Sequence, residues 1–161
     1  MREKQFDPGF NLLEIILAMF IIGLVMAVSF PALMRGNSTF RLHAAGRDVL
    51  STMRYAREKA ISEQMEMRLV VDREARKILL TDEAGDGERA LQLPEEVSIQ
   101  RMVLWGREVQ QPAMAIRFLP NGSSESGELF LASKKGIVVR IITDPITGSA
   151  RLQNVTTGEP Q

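Results

Sequence analysis

Glu14 is the residue whose setting most demands an explanation. It is a carboxylate inside "GFNLLEIILAMFIIGLV", and from Phe10 to Met34 the chain is otherwise almost wholly apolar. A charge at the centre of a bilayer costs roughly 2.5–3.5 kcal/mol on insertion scales, so the carboxylate needs a partner. Its place near the start of a helix already helps, because free backbone N–H groups and the helix dipole favour negative charge there. If the chain began at Phe10, the new α-amine would stand one helical turn from Glu14. It could then pair with the carboxylate in the same subunit or in a neighbour. A buried carboxylate left unpaired is expensive, whereas a paired one can set register between chains.

The other titratable groups offer little chemistry. His43 is the only histidine, and it falls within an amphipathic helical stretch, where a packed or surface histidine is expected rather than a general base. There is no cysteine, which removes disulfides, thiolate catalysis and zinc–thiolate sites. No Gly-rich phosphate loop and no G-x-S-x-G is present. "TDEAGDGE" gathers Asp82, Glu83, Asp86 and Glu88, but not at the spacing of an EF-hand loop, so it reads as a solvated loop, with a calcium site as the alternative, and no metal is assigned. The chain is therefore expected not to be an enzyme and to need no cofactor. Twenty basic residues balance twenty acidic ones, which gives no general attraction to nucleic acid or to an anionic surface.

Several elements must position these groups. Ile15 to Met34 is twenty residues without a charge, about 30 Å as a helix and enough to cross a bilayer. The run is too long for a signal-peptide core, and "SFPALMRG" is a poor cleavage site. Orientation is not set by flanking charge: Arg2 and Lys4 are offset by Glu3 and Asp7, and Arg35 and Arg41 follow the run. Gly23 and Pro31 are the weak points of the helix, since glycine costs about 1 and proline about 3 kcal/mol in a helix interior. Beyond the run, Leu42, Ala45, Val49, Met53, Ala56 and Ala60 recur every three or four residues, one stripe of an amphipathic helix. "RGN" and a capping Ser38 are expected to bend the rod before that stripe. A continuous helix from Phe10 to Gln64 would be about 80 Å long.

The remainder reads as six or seven strands. "MRLVVD" and "RKILLT" form a hairpin, followed by "EEVSIQRMVLW", "AMAIRFLP", "GELFLAS", "GIVVRIIT" and "SARLQNV", with turns at "KKG" and "DPITG". The expected class is α+β: a long N-terminal helix, half in the membrane and half amphipathic, packed on an antiparallel sheet or small β-sandwich.

"GFNLLEIILAMFIIGLVMAVSFPAL" resembles the class III signal of type IV pilins and type II secretion pseudopilins. The match rests on the Gly9–Phe10 junction, Glu14 as the fifth residue after it, the apolar helix and Pro31. Asn11 stands where the family usually has threonine or serine. The resemblance implies cleavage after Gly9 by a prepilin peptidase and methylation of Phe10. It also implies a register role for Glu14, and a segment between Gly23 and Pro31 that can extend on assembly. A second stretch, "IRFLPNGSSESGELFLASKKGIVVRIITDPITGSARL", resembles the GspH/FimT group of minor pilins through Phe118, Pro120, Gly122, the "GELFL" strand beginning at Gly127, and the last strand after Gly148. The middle, roughly Asp82 to Gln111, is unmatched.

The resemblance implies a leader at residues 1–9, a transmembrane assembly helix at 10–34, its amphipathic half at 35–66 and a β-rich periplasmic domain at 67–161. It implies a pilin-like, H-type minor pseudopilin, single-pass in the inner membrane and then part of the pseudopilus, in the tip complex beside other minor pseudopilins by family analogy. The implied partners are the prepilin peptidase, other minor and major pseudopilins, the inner-membrane assembly platform and membrane lipid. The alternative is a FimT-like minor pilin for DNA uptake. Those proteins resemble this chain but carry Gly-Arg-x-Arg at the last strand, where this chain has Gly148, Ser149, Ala150 and Arg151, and only the second arginine remains. Lys134, Lys135 and Arg140 could extend a basic patch, but Glu125 and Glu128 lie close in sequence, so DNA is not the expected partner.

Overall fold

A computed structural model describes residues 12–155, with backbone alone described at 28–37. The chain divides into two units, Met1–Asn37 and Ser38–Gln161. One helix, α1 (Leu12–Glu63), contributes to both.

In the first unit α1 runs through Gly23 and Pro31 without a break. Proline removes one backbone donor there but does not end the helix. Among the described residues no helix is long and apolar enough to cross a membrane. The expected span 10–34 lies partly outside the described residues.

The helix is not interrupted at "RGN", and no new helix start forms there. Helical backbone continues across it, and Ser38 lies inside the helix rather than at a cap. Its hydroxyl is buried and makes no hydrogen bond among the described residues. In the second unit all six residues of the apolar stripe are buried. Thr52 joins them by donating to the Asp48 carbonyl one turn back (2.9 Å), which satisfies a buried hydroxyl locally. The helix ends at Glu63, and Gln64 just beyond it takes the left-handed region at φ 54°, where glycine is usual. Its side-chain amide donates to the Ile61 carbonyl at 2.7 Å and so occupies one of the carbonyls left open at a helix end.

Nine strands follow: β1 (Met67–Asp72), β2 (Lys77–Thr81), β3 (Gly87–Gln92), β4 (Val97–Leu104), β5 (Arg107–Glu108), β6 (Ala113–Phe118), β7 (Gly127–Ser133), β8 (Val138–Thr143) and β9 (Ala150–Val155). They form two antiparallel sheets, ordered β3-β2-β1-β6 and β5-β4-β7-β8-β9. The expected β1–β2 hairpin is present, with Val70 opposite Leu79. Inward residues alternate along β1 (Met67, Leu69, Val71), β6 (Met114, Ile116, Phe118) and β8 (Val139, Ile141). One apolar cluster joins these to the helix stripe. The α+β class with antiparallel sheets on a helix is therefore as expected.

Two strands were not expected. β3, "GERALQ", is nearly all exposed and has no apolar alternation; pairing with the β2 backbone makes it a strand. Asp82 to Glu88 was read as loop throughout, but Gly87 and Glu88 belong to β3. β5 is two residues long and is created by a tight turn in which Trp105 and Gly106 both have positive φ (52° and 73°). Trp105 thus leaves the strand in which the sequence placed it. A register shift between Ile99 and Arg101 in the β4–β7 ladder is a bulge. It reverses the alternation, so that Val97 and Ile99 point inward before it and Met102 after it.

Candidate functional site

Glu14 sits in the first turn of α1 and is exposed. So are its apolar neighbours: Leu12 is 75% exposed, Leu13 72% and Phe20 67%. A Cβ on Gly23 would meet nothing within 4 Å among the described residues, so no packing they make requires glycine there. Gly9 and Phe10 lie outside the described residues, and at Pro31 only the backbone is described.

The C-terminal motif residues converge in space. Phe118 is fully buried at the end of β6 and opens a loop that returns at Ser124. Within that loop, which contains Pro120, the Gly122 N–H donates to the Leu119 carbonyl (2.9 Å), and Gly122 takes φ +85°. Gly148, at φ +62°, lies against it, and a Cβ there would overlap the Gly122 carbonyl oxygen. The same oxygen accepts from Arg57 Nε of α1 at 3.1 Å. At the head of β7, a Cβ on Gly127 would come within 2.5 Å of Ile116 Cδ1. The Gly127 N–H donates to Thr143 Oγ1 (2.7 Å), whose hydroxyl faces the Glu125 carbonyl at 2.9 Å. Asp144 folds the next turn by accepting from the N–H groups of Ile146 and Thr147. These motif residues form a clasp that ties β6–β7, β8–β9 and α1 together.

Arg57 and Thr143 were missed from the sequence. A signal existed for Thr143, which shares the inward parity of Val139 and Ile141 and was bound to be a buried hydroxyl needing partners. Arg57 had none, because it flanks the apolar stripe as any solvated arginine would.

Several charges around the motif residues are paired with neighbours. Burial pushes the Glu125 carboxyl up, but hydrogen bonds from the Arg117 side chain and backbone, with one from Trp105, outweigh it and hold the group below the usual glutamate range. Arg140 grips Glu128 through two contacts (2.6 and 3.0 Å), and Arg151 faces Asp144 at 3.9 Å. Two arginines weighed for a DNA surface thus stand beside carboxylates, which leaves the DNA-uptake reading without structural support. In the acidic stretch, Glu88 pairs with Lys59 of α1, while Asp82 Oδ1 accepts from the Asp86 N–H (2.8 Å). Among the described residues no group of three or more His, Cys, Asp or Glu is placed to hold a metal. His43 is half-buried on α1.

A helix with an exposed apolar start, whose second half is buried with two antiparallel sheets, defines a pilin-like subunit. A family profile described as "Type II transport protein GspH" matches residues 45–148, from the helix stripe to the glycine of the clasp. Type II secretion system protein H of Xanthomonas campestris pv. campestris is 30% identical over 154 residues, covering 94% of this chain and 86% of that relative. The chain belongs to the GspH family of minor pseudopilins. In fold it is similar to a crystal structure of the minor pseudopilin EpsH from the type II secretion system of Vibrio cholerae. The TM-score is 0.59 at 14% identity, over 76% of this chain and 99% of that one. A second EpsH structure gives 0.54 at 14% identity, over 74% and 99%.

Proposed function

We propose that this chain is a non-catalytic subunit of a type II secretion pseudopilus that supports protein export across the outer membrane. The observation that carries the proposal is the exposed apolar start of α1 with Glu14 set in it. Exposed apolar patches of this kind mark membrane or protein contacts, and a helix of this composition suits lipid first and other helices later.

In this reading residues 1–9 are a leader that the prepilin peptidase removes, after which Phe10 is methylated. Residues 10–34 hold the chain in the inner membrane, with the β-rich domain in the periplasm. The assembly platform then passes it into the pseudopilus, near the tip, beside major and other minor pseudopilins. Glu14 pairs with an N-terminal amine of a neighbouring subunit and sets the register, and the segment between Gly23 and Pro31 extends on packing.

Intact mass of the chain from membranes, with and without its peptidase, tests this. Loss of residues 1–9 plus one methyl group is expected. An unprocessed chain in peptidase-positive cells would instead make it a signal-anchored domain that never assembles.

A further inference from the structure

Phe130 points outward from the five-stranded sheet, outside the main apolar cluster, yet it is only 7% exposed. Two arginines cover it: Arg101 Cζ stands 4.1 Å from the ring centroid and Arg140 Cζ 5.6 Å. The β4 bulge places Arg101 on this face. A guanidinium stacked on a ring uses its flat side and keeps its N–H donors in the plane, free for a forked partner. The Arg140 fork is filled by Glu128. Among the described residues no hydrogen bond or ion pair engages the Arg101 fork. Around it lies a depression of about 430 Å³ lined by Gln100, Arg101, Glu108, Phe130, Val138 and Val155. Glu108 lines it without forming an ion pair with Arg101.

We propose that this face receives a carboxylate, carried on an acidic segment of a neighbouring pseudopilin subunit, in the open fork of Arg101. A carboxylate suits that fork as Glu128 suits Arg140, in the two-point geometry arginine favours. Val138 and Val155 give the flanking side chains of a protein segment an apolar floor. A polyanion is disfavoured, because nucleic acid or an anionic bilayer needs clustered cations, and Glu108 and Glu128 stand on the same face. The proposal rests on the reading of the chain as an assembly subunit.

The test uses the full chain in secreting cells. An Arg101→Lys variant puts an amine at the fork, and a zero-length carbodiimide reagent joins such an amine to a carboxylate in contact with it. A linked peptide between position 101 and an Asp or Glu of another pseudopilin is the expected result. Arg101→Glu should lower co-purification of that subunit about tenfold, with Arg101→Gln intermediate and thermal unfolding of both close to the parent. Normal co-purification by Arg101→Glu would overturn the proposal, as would absence of any link in Arg101→Lys cells that secrete normally. So would loss of anionic-vesicle binding by Arg101→Glu with co-purification intact. If the unaltered chain brings down no pseudopilin at all, the assembly reading fails, and not this assignment.

Discussion

The α-hydrogen side of Gly148 faces the carbonyl oxygen of Gly122 so closely that no side chain fits between them. Two glycines 26 residues apart in the sequence thus form one contact, and the helix joins it through Arg57. Gly148→Ala adds a backbone overlap to a left-handed φ and should destabilise the protein by about 2–4 kcal/mol. Gly122→Ala shares the strain, but its nearest obstacle is the flexible end of Ile61 at 3.2 Å. It should cost about 1–2 kcal/mol. Urea unfolding of both variants checks the order, and equal losses would mean that the overlap relaxes.

Thr143→Val keeps the shape of the side chain but removes the hydroxyl that meets Gly127 N–H and the Glu125 carbonyl. Leaving buried polar groups unsatisfied should cost about 1–3 kcal/mol. Thr143→Ser retains the hydroxyl and should recover much of that loss in the same thermal melts.

Arg57→Ala removes the donor to Gly122 and should lower stability by about 1 kcal/mol. In the Gly148→Ala background its effect should shrink, because the contact it braces is already displaced. A double-mutant cycle measures the coupling, and strict additivity would separate Arg57 from the clasp.

Glu125 supplies a pH dependence. Its carboxyl is held below the ordinary 4.5 in the folded chain, so folding favours the ionised form. The stability it contributes is complete above about 4.5 and is lost as pH falls through the lower folded-state value. Glu125→Gln should flatten the acid limb of melting temperature against pH between about 6 and 3. An unchanged acid limb would assign the loss to other carboxylates.

Glu14→Ala should leave unfolding of the β-rich unit unchanged, since the side chain is exposed in the first turn of α1. Incorporation into the pseudopilus should fall about tenfold if the carboxylate's pairing sets the register. Normal co-purification and secretion by that variant would remove the pairing role.

Local pattern was enough wherever burial imposes a period. The helix stripe from Leu42 to Ala60 and the alternating strands β1, β6 and β8 could be read because each has a single inward face. β3 could not, since its side chains bury little and its backbone pairing belongs to β2 as much as to itself. The bulge at Arg101 also escaped, because a shift of one residue follows from what β7 presents, not from β4 alone.

By itself the sequence determined the apolar segment with its single carboxylate, the helix-then-strands order, and the turns at "KKG" and "DPITG". Those features depend on residues near one another in the chain. Tertiary structure alone decided that Gly122 and Gly148 meet under Arg57, that Thr143 joins β7 to β8, and that Phe130 lies beneath Arg101 and Arg140. Each of these contacts joins segments whose approach depends on strand order and register, which the cooperative packing of the whole core selects.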